Sequence, residues 1–124
     1  MSDVAKGAAR VGAAMTALSQ HGYRCARLSA SGQRRGARKN ENGIAGDIIA
    51  LAPPHTHLPH VLIEVGGEKK VVSAALAELR DSIMPGFAPI VCRVVNRRKR
   101  WHLGPDREDA FDDLGDALCS LKSR

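Results

Sequence analysis

The chain has 124 residues and carries 19 Lys and Arg against 13 Asp and Glu, a formal charge of +6 with a pI near 9.7. That length suits one domain with a single real core, and the basic balance favours a polyanionic partner while saying nothing about fold. Aromatics are confined to Tyr23, Phe87, Trp101 and Phe111, so the core must be built from Ala, Val, Leu and Ile, and the base-stacking surfaces typical of RNA-binding modules are lacking.

Residues 5–22 predict a helix whose buried face carries Val11, Ala14, Met15 and Leu18, with Gly22 as its stop. Gly7 and Gly12 lower its intrinsic propensity, so packing must hold it. Tyr23 to Ser29 predicts a strand. Residues 30–42 form a loop carrying Arg34, Arg35, Arg38 and Lys39. Such a segment is either a solvated surface loop or an arm that grips phosphates and orders on nucleic acid.

The centre of the chain is a hairpin. Two runs rich in Ile, Val and Leu, Gly43 to Ala52 and His60 to Lys70, flank the loop Pro53–Pro59. Folding about that loop sets Asp47, entering the first strand, opposite Glu64, leaving the second. Ile49, Leu51 and Leu62 share their face because side chains alternate along a strand. A carboxylate pair above an apolar floor calls for a positive partner, and Mg²⁺ (or Mn²⁺) suits one or two carboxylates completed by water and phosphate oxygens. His55, His57 and His60 have a spacing that invites zinc, but no fourth ligand is evident and a solvent-exposed loop is the preferred reading.

A helix is expected to open at Lys69 or Lys70 and run to about Ile83, with Val72, Ala75, Leu76 and Leu79 inside and Pro85-Gly86 beyond its end. Residues 89–95 predict an apolar strand. Asn96 to Lys99 predicts a turn, and Arg100 to Leu103 a short return strand. Arg97, Arg98, Lys99 and Arg100 thus form a second basic cluster, either a charged hairpin tip or a phosphate contact. A last helix is expected from Asp106 as cap, with Glu108 and Asp109 near its positive end, an apolar stripe of Phe111, Leu114, Leu118 and Leu121, and Lys122 and Arg124 at its C-terminus. The predicted order is α-β-β-β-α-β-β-α, an α/β (α+β) domain over residues 1–124 in which helices flank a mixed sheet. No apolar run approaches the roughly 20 residues of a membrane helix. Cys25, Cys92 and Cys119 show neither CxxC spacing nor a signal peptide, as expected of reduced thiols in a cytosolic protein.

Lys6-Gly7, His21-Gly22-Tyr23, Ser29-Ala30-Ser31-Gly32, Gly46-Asp47-Ile48 and Ile63-Glu64-Val65 together resemble archaeal-type Holliday junction resolvases. These are members of the PD-(D/E)xK, or restriction-endonuclease-like, nuclease superfamily. The likeness extends over residues 5–103, including the closing hairpin with Trp101. It implies a restriction-endonuclease-like sheet and a metal-dependent endonuclease acting on branched or duplex DNA as a homodimer. Asp47 and Glu64 would hold the metal with the carbonyl of Val65, and Ser31 would help place the scissile phosphate. Two positions depart from the family pattern: Gly12 stands where the first helix carries an acid, and Gly66 where a lysine follows the glutamate. Lys69 or Lys70, reaching back from the next element, would replace that lysine. The alternative reading is a degenerate nuclease fold that binds DNA, or joins a complex, without cutting.

Overall fold

The computed structural model describes residues 3–28 and 44–124, with side chains from residue 5 onward. In chain order its elements are α1 (Asp3–Gln20), β1 (Arg24–Arg27), β2 (Ile48–Leu51), β3 (His60–Gly66), α2 (Val72–Ser82), β4 (Phe87–Val95), β5 (Arg98–His102), a 3-10 turn (Arg107–Asp109), β6 (Ala110–Phe111) and α3 (Leu114–Lys122). The six strands form one sheet in sequential order, β1 to β6. Every neighbouring pair is antiparallel except β3 and β4, which run parallel. A parallel pair needs a crossover, and α2 supplies it. Among the described residues no helix is long and apolar enough to cross a membrane.

Alternation along the strands divides the apolar residues into two cores. On one side Val11, Ala14 and Leu18 of α1 and Leu114, Ala117 and Leu118 of α3 pack against Ile48, Ala50, Val61, Ile63, Ile90, Cys92 and Trp101. On the other, Ala75, Leu76 and Leu79 of α2 cover Leu62, Val91 and Ala45. Leu62 faces α2 while its neighbours Val61 and Ile63 face α1, so Glu64, two residues beyond Leu62, stands on the α2 side.

The first helix ends as its sequence predicts. Tyr23 N–H donates to Leu18 O at 3.1 Å and Gly22 N–H to Ser19 O at 3.0 Å, while Gly22 takes φ +84°. This is a Schellman cap, in which glycine tolerates the left-handed residue. Tyr23 is then buried, and its hydroxyl donates to Pro59 O at 2.8 Å, fastening the loop between β2 and β3; burial pushes its phenol up to about 12.

The structure corrects three expectations about boundaries. The second helix opens at Val72, so Lys69 and Lys70 lie in the turn before it. Lys70 N–H donates to Gly67 O at 3.1 Å, and this turn uses the residues that helical propensity alone would have assigned to α2. The basic hairpin turns only at Asn96 and Arg97, whose φ values of 51° and 67° match the type I′ pattern; Arg98 and Lys99 already belong to β5. The last helix opens eight residues after Asp106, at Leu114, capped by Asp113, whose carboxylate accepts from Asp116 N–H at 3.0 Å. The intervening segment pairs back on β5, setting Phe111 opposite Trp101, so Phe111 is a strand residue and the helical stripe begins at Leu114.

Gly46 adopts φ +106°, and a Cβ there would stand 3.0 Å from Leu79 Cδ2 and 3.1 Å from Ile63 O. Both the backbone angle and the space exclude a side chain immediately before Asp47. The Gly46→Ala variant is expected to lose about 1–3 kcal/mol of stability, measured as a lowered urea midpoint at unchanged slope.

Candidate functional site

Asp47 continues the ladder between β2 and β3 by one residue. Its N–H donates to Ile63 O at 2.8 Å, extending the register in which Ile48 faces Ile63 and Ile49 faces Leu62. That register places Asp47 beside Glu64, as the hairpin pattern predicts. The Asp47 carboxylate turns back onto β3, where Oδ2 accepts the N–H of Val65 at 2.8 Å. In an extended strand the N–H and C=O of one residue point to the same side, so the Val65 carbonyl also faces the Asp47 side.

Neither carboxyl is in ordinary solvent. Burial raises the Asp47 carboxyl above the usual range, against the opposing pull of the Val65 N–H and the charges of Lys70 and Arg27. Burial likewise raises Glu64, Lys70 opposes, and the charges of Asp47 and of Glu78 on α2 push it further up. Desolvation outweighs the available positive charge in both cases. The charged forms of the pair therefore call for positive charge close by.

Lys70 partly meets that demand. Its Nζ lies 3.3 Å from Glu64 Oε2. The stem of this side chain runs through the space that Gly66 leaves open: a Cβ on Gly66 would stand 2.7 Å from Lys70 Cβ and Cγ and 2.8 Å from Cδ. Lys70 thus brings its ammonium to Glu64 across the open position of Gly66. Lys69, its neighbour, is exposed.

Three arginines that the sequence did not single out surround this end of the sheet. Arg27 on β1 donates through Nη2 to Ala8 O of α1 at 3.1 Å and lowers the Asp47 carboxyl by its charge. Arg93, paired with Gly66 across the parallel ladder, donates through Nε to Gly67 O at 3.4 Å and through Nη2 to Glu68 O at 2.5 Å, tying down the turn that delivers Lys70. Arg10 of α1 lies over Gly67, where a Cβ would meet its Cζ at 2.8 Å. Each depends on pairing between distant segments, and no local motif signals it. Glu78 was overlooked for the same reason: helical spacing places it on α2 but not near Glu64.

The predicted basic clusters fare differently. Arg34, Arg35, Arg38, Lys39 and Ser31 lie outside the described residues. The hairpin cluster divides between the two faces of the sheet. Arg97 and Lys99 line a groove shared with α1, Arg98 is exposed, and Arg100 makes an ion pair of 3.3 Å with Asp112 on open surface, where such a pair contributes little. At the start of β3, not in the hairpin loop, His60 Nδ1 accepts Ala52 N–H at 2.9 Å and its ring is tilted on Phe87 at 5.0 Å, so this histidine braces the end of the loop.

Among the described residues no cluster of three or more His, Cys, Asp or Glu side chains is arranged to hold a metal ion. Two desolvated carboxylates and a strand carbonyl are nonetheless the sparse oxygen set that suits Mg²⁺ or Mn²⁺, which keep several waters. No known protein family model matches the sequence, and no curated protein matches it.

The raised Asp47 carboxyl has a consequence for stability. An acid whose folded pKa exceeds its unfolded value of 3.8 binds more protons when folded, so its contribution is present at low pH and is lost as pH rises through the folded value. In EDTA, Asp47→Asn should therefore be more stable than the parent at pH 7, with the difference closing as pH falls below 3.8; urea denaturation at several pH values measures it.

Proposed function

We propose that the chain is a metal-dependent, structure-specific DNA endonuclease, similar to the Holliday junction resolvases of the restriction-endonuclease-like superfamily. The observation that carries this reading is Lys70: passing over Gly66, it reaches Glu64 beside Asp47 and completes an aspartate–glutamate–lysine set from a position outside the usual strand. The mixed sheet with a parallel β3–β4 pair and antiparallel neighbours is compatible with that fold.

On this reading Asp47, Glu64 and the Val65 carbonyl hold Mg²⁺ or Mn²⁺. The bound ion supplies Lewis-acid stabilisation of charge on the scissile phosphate. Lys70 orients the attacking water and offsets charge on the phosphorane, with Glu64 fixing the position of its ammonium. Arg27 and Arg93 hold the surrounding backbone and add positive field. Basic residues in the 30–42 segment, together with Arg97, Arg98, Lys99 and Arg100, contact the phosphate backbone. A four-way junction substrate favours a homodimer, since two symmetric cuts suit a two-fold enzyme. The free cysteines Cys25, Cys92 and Cys119 suit a reducing cytosol.

One observation favours the second reading, DNA binding without cleavage. Gly12, at the position of the family's first-helix acid, carries no side chain although a Cβ there would meet nothing within 4 Å, and no carboxylate between Val4 and Asn40 stands in for it.

Cleavage of labelled four-way junction and duplex DNA in Mg²⁺ or Mn²⁺ decides between them. The parent should cut and Asp47→Asn should not. Lys70→Ala should slow cutting by about 10²- to 10³-fold with DNA affinity retained, while Lys69→Ala should cut at the parent rate. A parent that binds branched DNA but never cuts it would favour the second reading.

A further inference from the structure

The carboxylates stand on the α2 side of the sheet. On the opposite side, at the same end, α1 and the β4–β5 hairpin enclose a groove of about 650 Å³ lined by Lys6, Ala9, Arg10, Ala13, Val94, Asn96, Arg97 and Lys99. Four of those residues are cationic, and none is acidic. Among the described residues, no salt bridge pairs any of the four with a carboxylate. The uncharged part of the lining includes the small side chains of Ala9 and Ala13 beside Val94. Cations gathered on one groove make its field positive, and an anion is drawn to it.

The groove is also joined to the carboxylate site. β3 and β4 run parallel and finish together, with Gly66 beside Arg93, and the Asn96–Arg97 turn follows β4 directly. Arg10 spans the gap: it lines the groove and lies over Gly67, in the turn that carries Lys70 back to Glu64. A polyanion crossing this end of the sheet would pass from Lys6 and Lys99, over Arg10, toward Asp47 and Glu64. A lone phosphate would occupy one or two of these cations, whereas four along one groove offer a polymer several phosphate contacts.

We propose that this groove binds the sugar-phosphate backbone of a DNA duplex arm flanking the scissile phosphate, with Lys6 and Arg10 of the first helix acting together with Arg97 and Lys99. The proposal rests on the nuclease reading for the identity of the polymer, but its test does not need cleavage.

Fluorescence anisotropy with labelled duplex and four-way junction, in EDTA and across a salt series, compares the parent with Lys6→Gln/Lys99→Gln and with Arg24→Gln/Arg80→Gln. The second pair removes equal charge from the far end of β1 and from α2 on the other side of the sheet. The groove pair should bind at least 10-fold more weakly at low salt, with a log–log salt slope lower by about 1.8, the counterions of two phosphate contacts. The control pair should shift both far less. Equal losses in the two pairs, or an unchanged groove pair, would overturn the groove while leaving cleavage by the parent, and hence the nuclease reading, untouched. A parent that binds through the groove but never cuts would sustain the groove and remove the nuclease reading. A parent that binds no DNA would remove both.

Discussion

The arrangement depends on keeping two carboxylates, Asp47 and Glu64, partly out of water at one end of the sheet. Like charges in a partly desolvated setting resist ionisation, and burial is the main reason that both carboxyls lie above their ordinary range. What keeps them there is specific: one backbone N–H from Val65, one ammonium from Lys70 and the more distant charge of Arg27. These groups lessen the cost without removing it. A site that folding leaves under-compensated gives up stability, and such sites are where function is usually sought.

The absence of a side chain at Gly66 is what allows Lys70 to do this. Were residue 66 a lysine, its own stem would occupy the path that Lys70 follows. With glycine there, the chain turns sharply, Lys70 N–H closes on Gly67 O, and α2 begins only at Val72. A lysine held on a strand takes its position from the ladder. Lys70 takes its position from a turn, and turns are usually the more mobile element. Arg93 offsets this, since its guanidinium holds the carbonyls of both Gly67 and Glu68 from the adjacent parallel strand.

The hairpin and its register were legible because one buried face fixes pairing: a slip of one residue would carry Ile49 and Leu62 to the wrong side. For the same reason Asp47 and Glu64 were found correctly as neighbours. Lys69 and Lys70 were not separable from sequence, as both lie within reach of Glu64 and only the turn geometry chooses between them. The start of α3 was misplaced because Asp106 carries a valid local cap signal, yet pairing of Phe111 with Trp101 competes successfully for that segment. Arg10, Arg27 and Arg93 left no signal at all, since an arginine acquires this kind of role only when distant segments meet.

The charge of +6 acquires meaning from its distribution. α1 and the β4–β5 hairpin gather Lys6, Arg10, Arg97 and Lys99 on one side of the sheet end, while Glu64, Asp47 and Glu78 gather on the other. The end of the sheet between them is thin there, the Gly66-Gly67 backbone lying between Lys70 and Arg10. A phosphate polymer is attracted by the first cluster and repelled by the second. It would therefore approach from the α1 side, and it would come against the carboxylates only where a divalent cation had reversed their sign. Binding and metal occupancy would in that way be coupled through charge alone, because the two groups of charges flank the same end of the parallel β3–β4 pair.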